Sequence, residues 1–425
     1  MRRPLGVLLL AGVVAAVCTS TLCAEPRTKI TVMYYPSEFT PEMEEAFEAA
    51  NPDIEVEIIQ TDLSRFRAMS AVGNPPDIMR CTEEWIPYIA MHDMAMDLTP
   101  YFQKSRLLRI SDFMPVMDKY KFRGRYYGMI KDWSPVGVGY YNKEIFAAAK
   151  MPFPSATEPM TFREMAVLAR KLQKEQGEKI LIRGMSYWTP SDQIQLALLT
   201  AGQKLYSDDG TRINLANNRK AREIARFWFD LAKERLIESP LSPAETLESS
   251  LFSGGRVAML VYGYWYGGIA ESDLTKGKIG VMASPVWDKR LPRISPCAFI
   301  TGGFISSRTK HPEEAFRVFE WFFGGPPARE RAEIGWGIPA LKSLLGSVSM
   351  KTAFDRERQR NLETELKYLR YVDFSPYILP SVFDDTIIKY FTLALKGEIG
   401  FDQYLACAER DINREIERGR AEVGR

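Results

Sequence analysis

The hydrophobic pattern is clearest near the start of the chain. Lys29–Tyr35 (K-I-T-V-M-Y-Y) is a β-branched and aromatic run, which predicts a buried strand. Thr40-Pro41-Glu42 supplies a capping residue, a proline at the first helical position and an acid in the first turn, so a helix should open there. Met43, Ala46, Phe47 and Ala50 recur on one face of it, and Asn51-Pro52 ends it. Ile54–Ile59 then alternates apolar and polar as a second strand. Strand, helix and strand joined by short links imply a parallel crossover, hence an α/β architecture.

The same grammar recurs. Thr161-Phe162-Arg163-Glu164 forms a capping box ahead of a helix predicted to run to Gly177. Arg219–Leu236 carries Ile224, Trp228 and Leu231 at helical spacing, and Pro312-Glu313-Glu314 opens a helix holding Phe316, Phe319, Trp321 and Phe322. From Leu362 onward the pattern is mostly helical with charged outer faces. At 425 residues the chain exceeds the ~250–300 at which a single core stops growing, so two lobes are expected. With 46% hydrophobic and 26% charged residues the composition is that of a globular protein, which excludes collagen-like and largely disordered chains.

The N-terminus departs from this pattern. Arg2-Arg3, the 13-residue apolar run Leu5–Val17 and a small-residue stretch to Ala24 have the layout of a secretory signal peptide over residues 1–24. The run is too short to span a ~30 Å bilayer as a helix. Neither Cys18 nor Cys23 sits in a good lipoprotein context, so a lipid-anchored form is the lesser expectation and a periplasmic location the greater. Beyond Ala24, Lys+Arg and Asp+Glu balance, because the overall 56 against 54 includes Arg2 and Arg3. A basic nucleic-acid surface is therefore disfavoured. Two histidines, His92 and His311, cannot supply a three-histidine metal site, and no H-E-x-x-H occurs. No cofactor is expected. Cys81, Cys297 and Cys407 are an odd set, so buried thiols are expected in place of a disulfide framework.

Five blocks in order carry a family resemblance: E-A-F-E-A-A-N-P-D-I-E-V-E-I (Glu45–Ile58); N-P-P-D-I-M (Asn74–Met79) with D-L-T-P-Y-F (Asp97–Phe102); F-R-G-R-Y-Y-G-M (Phe122–Met129) with Y-Y-N-K-E-I-F (Tyr140–Phe146); F-S-G-G-R-V-A-M (Phe252–Met259) with Gly263-Tyr264-Trp265; and Gly302-Gly303 through H-P-E-E-A-F (His311–Phe316) to G-W-G-I-P-A (Gly335–Ala340). Together they resemble the solute-binding proteins of ABC importers, of the maltodextrin-binding type. That resemblance implies two α/β lobes, each a mostly parallel sheet flanked by helices, joined by hinge strands and closing on a ligand. By position one lobe should hold 25–131 and 284–336, the other 134–283 and 337–425, with hinges near Asp132, Ala283 and Trp336. It also implies no enzymatic activity, a monomer, a sugar or other small solute as ligand, and the transmembrane subunits of a permease as partner. Two departures stand out. Met160-Thr161-Phe162 replaces a usual Thr-Trp, and Cys81 stands where many sugar binders place an aromatic, which puts a long oligosaccharide in doubt.

A pyranose has apolar faces that favour aromatic rings and a rim of hydroxyls that favours carboxylates, amides and guanidinium groups. In open α/β sheets ligands lie beyond the carboxyl ends of strands. The strand-end candidates are therefore Tyr35, Ser37 and Glu38 after the first strand, Arg80, Glu83 and Glu84 after Met79, and Trp188 ahead of the next helix. The resemblance implies Asp132 and Trp133 at the first crossover, and Tyr264 and Trp265, which match the family's stacking segment. Gly303 would let backbone approach a ligand, and Trp336, between Gly335 and Gly337, has little neighbouring side chain to cover it. Some have structural alternatives: Glu83-Glu84 could simply open a helix, and Gly302-Gly303 could serve a neighbouring strand. Trp321 is expected in the core, and Trp287 is left open. A carbohydrate-active hydrolase is the remote alternative, since no pair of opposed carboxylates, G-x-S-x-G or phosphate loop is present. A glycerol-phosphate-type polyol is the nearer one, drawing on Arg80, Arg123 and Lys131.

Overall fold

Why the chain returns to its first sheet after more than 150 residues is explained by strand order. In a computed structural model, described for residues 27–270, 272–347 and 350–423, that sheet runs Ile54–Gln60, Thr28–Tyr34, Ile78–Thr82, Thr301–Ile305, Met129–Asp132. Thr28–Tyr34 pairs in parallel with Ile54–Gln60 from Thr28↔Ile54 to Tyr34↔Gln60, and with Ile78–Thr82 on its other side. Thr301–Ile305 lies antiparallel to both its neighbours. The carboxyl ends of Thr28–Tyr34, Ile78–Thr82 and Met129–Asp132 therefore share one edge with the start of Thr301–Ile305. The signal-peptide segment lies outside the described residues.

The link Pro41–Ala50 is helical, capped by the Thr40 side chain accepting from the Met43 amide, with Phe47 buried. Helix Pro312–Gly324 covers the same sheet with Phe316, Phe319, Phe322 and Phe323. Trp321 is half-buried between Phe39 and Phe47.

The second sheet runs Ile279–Met282, Gly139–Asn142, Val257–Val261, Lys179–Ser186, Lys174–Gln176. Val257–Val261 is parallel to Lys179–Ser186, and Gly139–Asn142 is antiparallel to both its neighbours. The helix opened by the Thr161 capping box ends at Leu172, short of the expected Gly177. Lys174–Gln176 instead folds back on Lys179–Ser186, with Gly177 at φ +60° turning the hairpin, so local turn chemistry overrides helix propensity. Helices Arg219–Lys233, Pro380–Leu395 and Phe401–Val423 enclose the far side; Trp228 stacks on Tyr187 at 4.7 Å.

The crossing segments lie side by side. Ser295–Cys297 pairs in parallel with Leu369–Tyr371, Pro135 bridges Cys297, and Trp133 bridges Ile338. Arg293 pairs with the fully buried Glu365 at 2.6 Å, whose other contact is the Ser284 amide at 3.0 Å, tying one crossover to helix Ala353–Glu365. Apolar packing does not break at the crossings: the cluster under the first sheet continues into Tyr140, Val257, Leu260 and Ile279. Among the described residues Cys81, Cys297 and Cys407 are free thiols, Cys81 and Cys297 buried but Cys407 only half-buried.

Gly302 sits where Thr301–Ile305 meets Met129–Asp132, and a Cβ there would lie 2.1 Å from the Met129 carbonyl oxygen. Since backbone cannot step aside as a side chain can, Gly302→Ala should cost about 1–3 kcal/mol in chemical denaturation. Gly346→Ala, where the added methyl meets nothing within 4 Å, should stay within about 0.5 kcal/mol of the parent.

Candidate functional site

The edge where the first sheet's strands end is built around one carboxylate. Glu38 follows the turn that closes with its amide donating to Tyr35 O at 2.8 Å. Its Oε1 accepts from Lys131 Nζ at 2.7 Å and its Oε2 from Arg80 Nε at 2.8 Å. Burial alone would raise the Glu38 pKa, but Lys131 and then Arg80 outweigh it and hold the carboxyl at about 2. Each cation also meets a ring, Arg80 lying 5.0 Å over exposed Tyr35 and Lys131 5.7 Å over Trp336. Arg80 reaches Thr301 Oγ1 at 3.5 Å as well. Asp132, 3.2 Å from Lys131, is pushed up by burial more than Lys131 lowers it. Beneath them Arg331 is buried and drawn down to about 10. Ser37 is exposed beside the turn.

Against this polar floor stands a continuous aromatic wall. Phe299 and Trp188 have ring centroids 5.0 Å apart, Trp188 and Tyr262 5.2 Å at 16°, Tyr262 and Trp265 4.9 Å, Trp265 and Trp336 6.1 Å. All five rings are partly exposed. Trp188 and Tyr262 follow strands of the second sheet, while Phe299 and Trp336 come from crossovers. The Trp188 indole N–H is satisfied by Val136 O at 3.1 Å, which fixes its plane. Just past the end of Lys179–Ser186 the two neighbours divide: Tyr187 turns into the core against Trp228, and Trp188 turns out.

Carboxyl groups close the third side. Glu83 accepts from the Ile300 amide at 2.6 Å, and Glu84 from Thr82 Oγ1 at 2.6 Å, leaving Glu84 Oε2 buried without a donor. Both are raised chiefly by burial. From the second sheet's side come Asp192, bonded to Thr189 Oγ1 at 2.6 Å, and Asp384. Burial and then Asp384 push Asp192 up to about 8; burial pushes Asp384 up to about 6, with Ser191 opposing and Glu84 adding. Asp192 and Asp384 thus both feel the Glu84 carboxyl from the opposite side. Among the described residues no set of His, Cys, Asp and Glu side chains converges as metal ligands.

Of the residues selected from sequence, Tyr35, Ser37, Glu38, Arg80, Glu83, Glu84, Asp132, Trp188, Trp265 and Trp336 fall in this region. Three do not face it. Trp133 is 6% exposed, with its indole donating to Pro339 O at 3.3 Å, so the ring is part of the crossover packing. Tyr264 is 2% exposed beneath the Arg358 guanidinium at 4.9 Å. A Cβ on Gly303 would meet Tyr34 Oη at 2.9 Å and Met79 O at 3.0 Å, so strand packing is its role. Trp287 is core, covered by Arg163. Tyr262, Phe299, Thr301, Asp192 and Asp384 were not selected. Tyr262 directly follows Val257–Val261 and obeys the strand-end rule; Phe299 carries no such signal.

Asp192 supplies a pH test. Its carboxyl stays protonated in the folded protein up to about pH 8 but ionises near its ordinary value of 3.8 when unfolded. Between those values the folded state holds the extra proton, so stability falls as pH rises through the window. Asp192→Asn should flatten that slope, melting several degrees above the parent at pH 8 and close to it near pH 4, as read by thermal denaturation across the range.

The family model of bacterial extracellular solute-binding proteins matches residues 34–324. Among solved structures, the chain is similar to an ABC substrate-binding protein from Listeria monocytogenes in complex with cycloalternan (TM-score 0.78, 22% identity, 92% of this chain and 99% of that one). It is also similar to an ABC transporter solute-binding protein from Thermotoga lettingae bound with α-D-tagatose (0.74, 19%, 92% and 100%). A third is the ABC transporter associated binding protein from B. animalis subsp. lactis in complex with β-1,6-galactobiose (0.74, 17%, 92% and 98%). Two α/β sheets joined by three crossovers, a polar edge facing an aromatic wall, and a family match over most of the chain agree, and this protein belongs to the bacterial extracellular solute-binding proteins, with their two-lobed fold.

Proposed function

We propose that the region between the two sheet edges captures a neutral carbohydrate, a monosaccharide or short oligosaccharide, and delivers it to the transmembrane subunits of an ABC importer. The observation that carries this is the five-ring wall set opposite a floor of charged hydrogen-bonding groups. Rings cover the apolar faces of a pyranose, and charge-assisted bonds to its hydroxyls contribute roughly 1.5–3 kcal/mol each. The sugars in the three similar structures support the same class. Residues 25–131 with 284–336 would act as one jaw and 134–283 with 337–425 as the other. A solute shifts them toward the closed form by its differential affinity for that state. The protein works as a monomer outside the cytoplasmic membrane, and its role is capture with no bond made or broken in the solute.

A phosphorylated polyol fits less well. Its phosphate would need a free cation, whereas Lys131 Nζ is committed to Glu38 and Asp132 and Arg80 Nε to Glu38.

Thermal-shift screening of residues 25–425 against sugars, polyols, phosphorylated polyols and ferric citrate tests the class. A solute at 100 times its Kd should add about 2.7 kcal/mol of stability. Trp265→Ala should weaken the best sugar at least tenfold, about 1.4 kcal/mol, in calorimetric titration. Stabilisation by phosphates alone, lost with Arg80→Ala and kept with Trp265→Ala, would overturn the carbohydrate class.

A further inference from the structure

Beside the aromatic wall the second sheet's side holds a cavity of about 620 Å³, bounded by residues 186–190, the loop 238–248, and helix Pro380–Leu395. Trp188 and Tyr262 belong to both the wall and the lining of this cavity. The remainder of the lining is dominated by apolar side chains, among them Pro243, Leu247, Ile388 and Phe391. Leu247 is 65% exposed and Ile388 37%, large hydrophobic groups left to water next to a ligand platform.

The polar members are few beside the apolar ones. A second pyranose would need several convergent donors and acceptors with unspent capacity. Thr189 Oγ1 is already bonded to Asp192 at 2.6 Å. Glu238 is ion-paired with Arg183 at 3.1 Å, but both its carboxylate oxygens are buried outside any hydrogen bond, and Ser239 Oγ is likewise buried without a partner. These two adjacent residues are polar anchors in a lining otherwise mainly apolar, with Glu248 and Thr246 at the rim of the loop. The volume lies within the ~300–1,000 Å³ of small-molecule sites, whose linings are mainly apolar with a few polar anchors.

We propose that this cavity is an aglycone subsite: the solute is a glycoside whose sugar rests on the wall and whose apolar substituent, an aryl or alkyl group, enters between Trp188 and Leu247. The proposal rests on the carbohydrate reading of the wall and extends it by naming what is attached to the sugar. Shared residues give the geometry, because a substituent leaving a ring stacked near Tyr262 passes the Trp188 edge into the cavity. Burying it would take Leu247 and Ile388 out of water along with the substituent, which is the gain in affinity.

Calorimetric titration of methyl and p-nitrophenyl glycosides of glucose, galactose and mannose, in both anomers, together with the matching disaccharides, tests it. For the sugar that binds, the p-nitrophenyl form should bind tenfold or more tighter than the methyl form. Leu247→Asp, an exposed position where folding should be unaffected, should erase that gain and leave the methyl glycoside unchanged; Ile388→Asp is the second variant. Trp265→Ala should weaken both forms. Equal binding of the two forms overturns the proposal and leaves the carbohydrate reading standing. A disaccharide gaining as much as the aryl form also overturns it, making the cavity a sugar subsite. Aryl glycosides binding whatever their sugar, insensitive to Trp265→Ala but abolished by Leu247→Asp, would uphold the cavity and overturn the carbohydrate reading. Binding by none of the compounds overturns both.

Discussion

Glu38 is the constraint on which the cleft depends. Taking two cations and a carboxylate out of water is costly, and the arrangement holds only because the geometry is good on both oxygens. Glu38 comes from the turn after one strand, Arg80 from a second and Lys131 from a third, so this cluster fixes the relative height of three strand ends. It also fixes rings, since the Arg80 guanidinium lies over Tyr35 and the Lys131 ammonium over Trp336. A floor whose charges are already matched can offer directed hydrogen bonds without demanding a counterion from the solute. A site made of the same cations without Glu38 would select anions.

The opposing side works differently. Its rings contact one another in series, so each is held by its neighbour and little side-chain freedom is left to lose when a flat ligand arrives. Carboxyls from the two sides meet at Glu84, Asp192 and Asp384, where burial keeps protons on groups that would shed them in water.

Much of this was legible from residue order. Strands announced themselves by β-branched runs, helices by Thr40 and Thr161 caps, the strand-end rule reached Glu38, Arg80 and Trp188, and the family resemblance pointed to Trp265. It failed where adjacency was taken for orientation. Gly263, at φ +87°, starts a tight turn that sends Tyr264 inward beneath Arg358 and Trp265 outward, and no local pattern distinguishes the two. Trp133 looked available at a crossover mouth but found a carbonyl at Pro339, a partner 206 residues away. Asp384 falls in the C-terminal stretch whose helices carry charged outer faces, and Asp192 has no sequence signal of its own. They become interesting only when helices Pro190–Thr200 and Pro380–Leu395 are packed together, which spacing along the chain does not disclose.

The position of Thr301–Ile305 in the first sheet bears on the order in which the protein can fold. This strand lies between Ile78–Thr82 and Met129–Asp132, so the two have no ladder to share until a segment more than 160 residues further along the chain has been supplied. Closing a loop that long is entropically slow and leaves Met129–Asp132 as an unpaired strand edge in the interval. The N-terminal lobe cannot be completed as it emerges. A nascent chain of this protein stays kinetically immature until most of its length is present, a property suited to any handling step that requires an unfolded polypeptide.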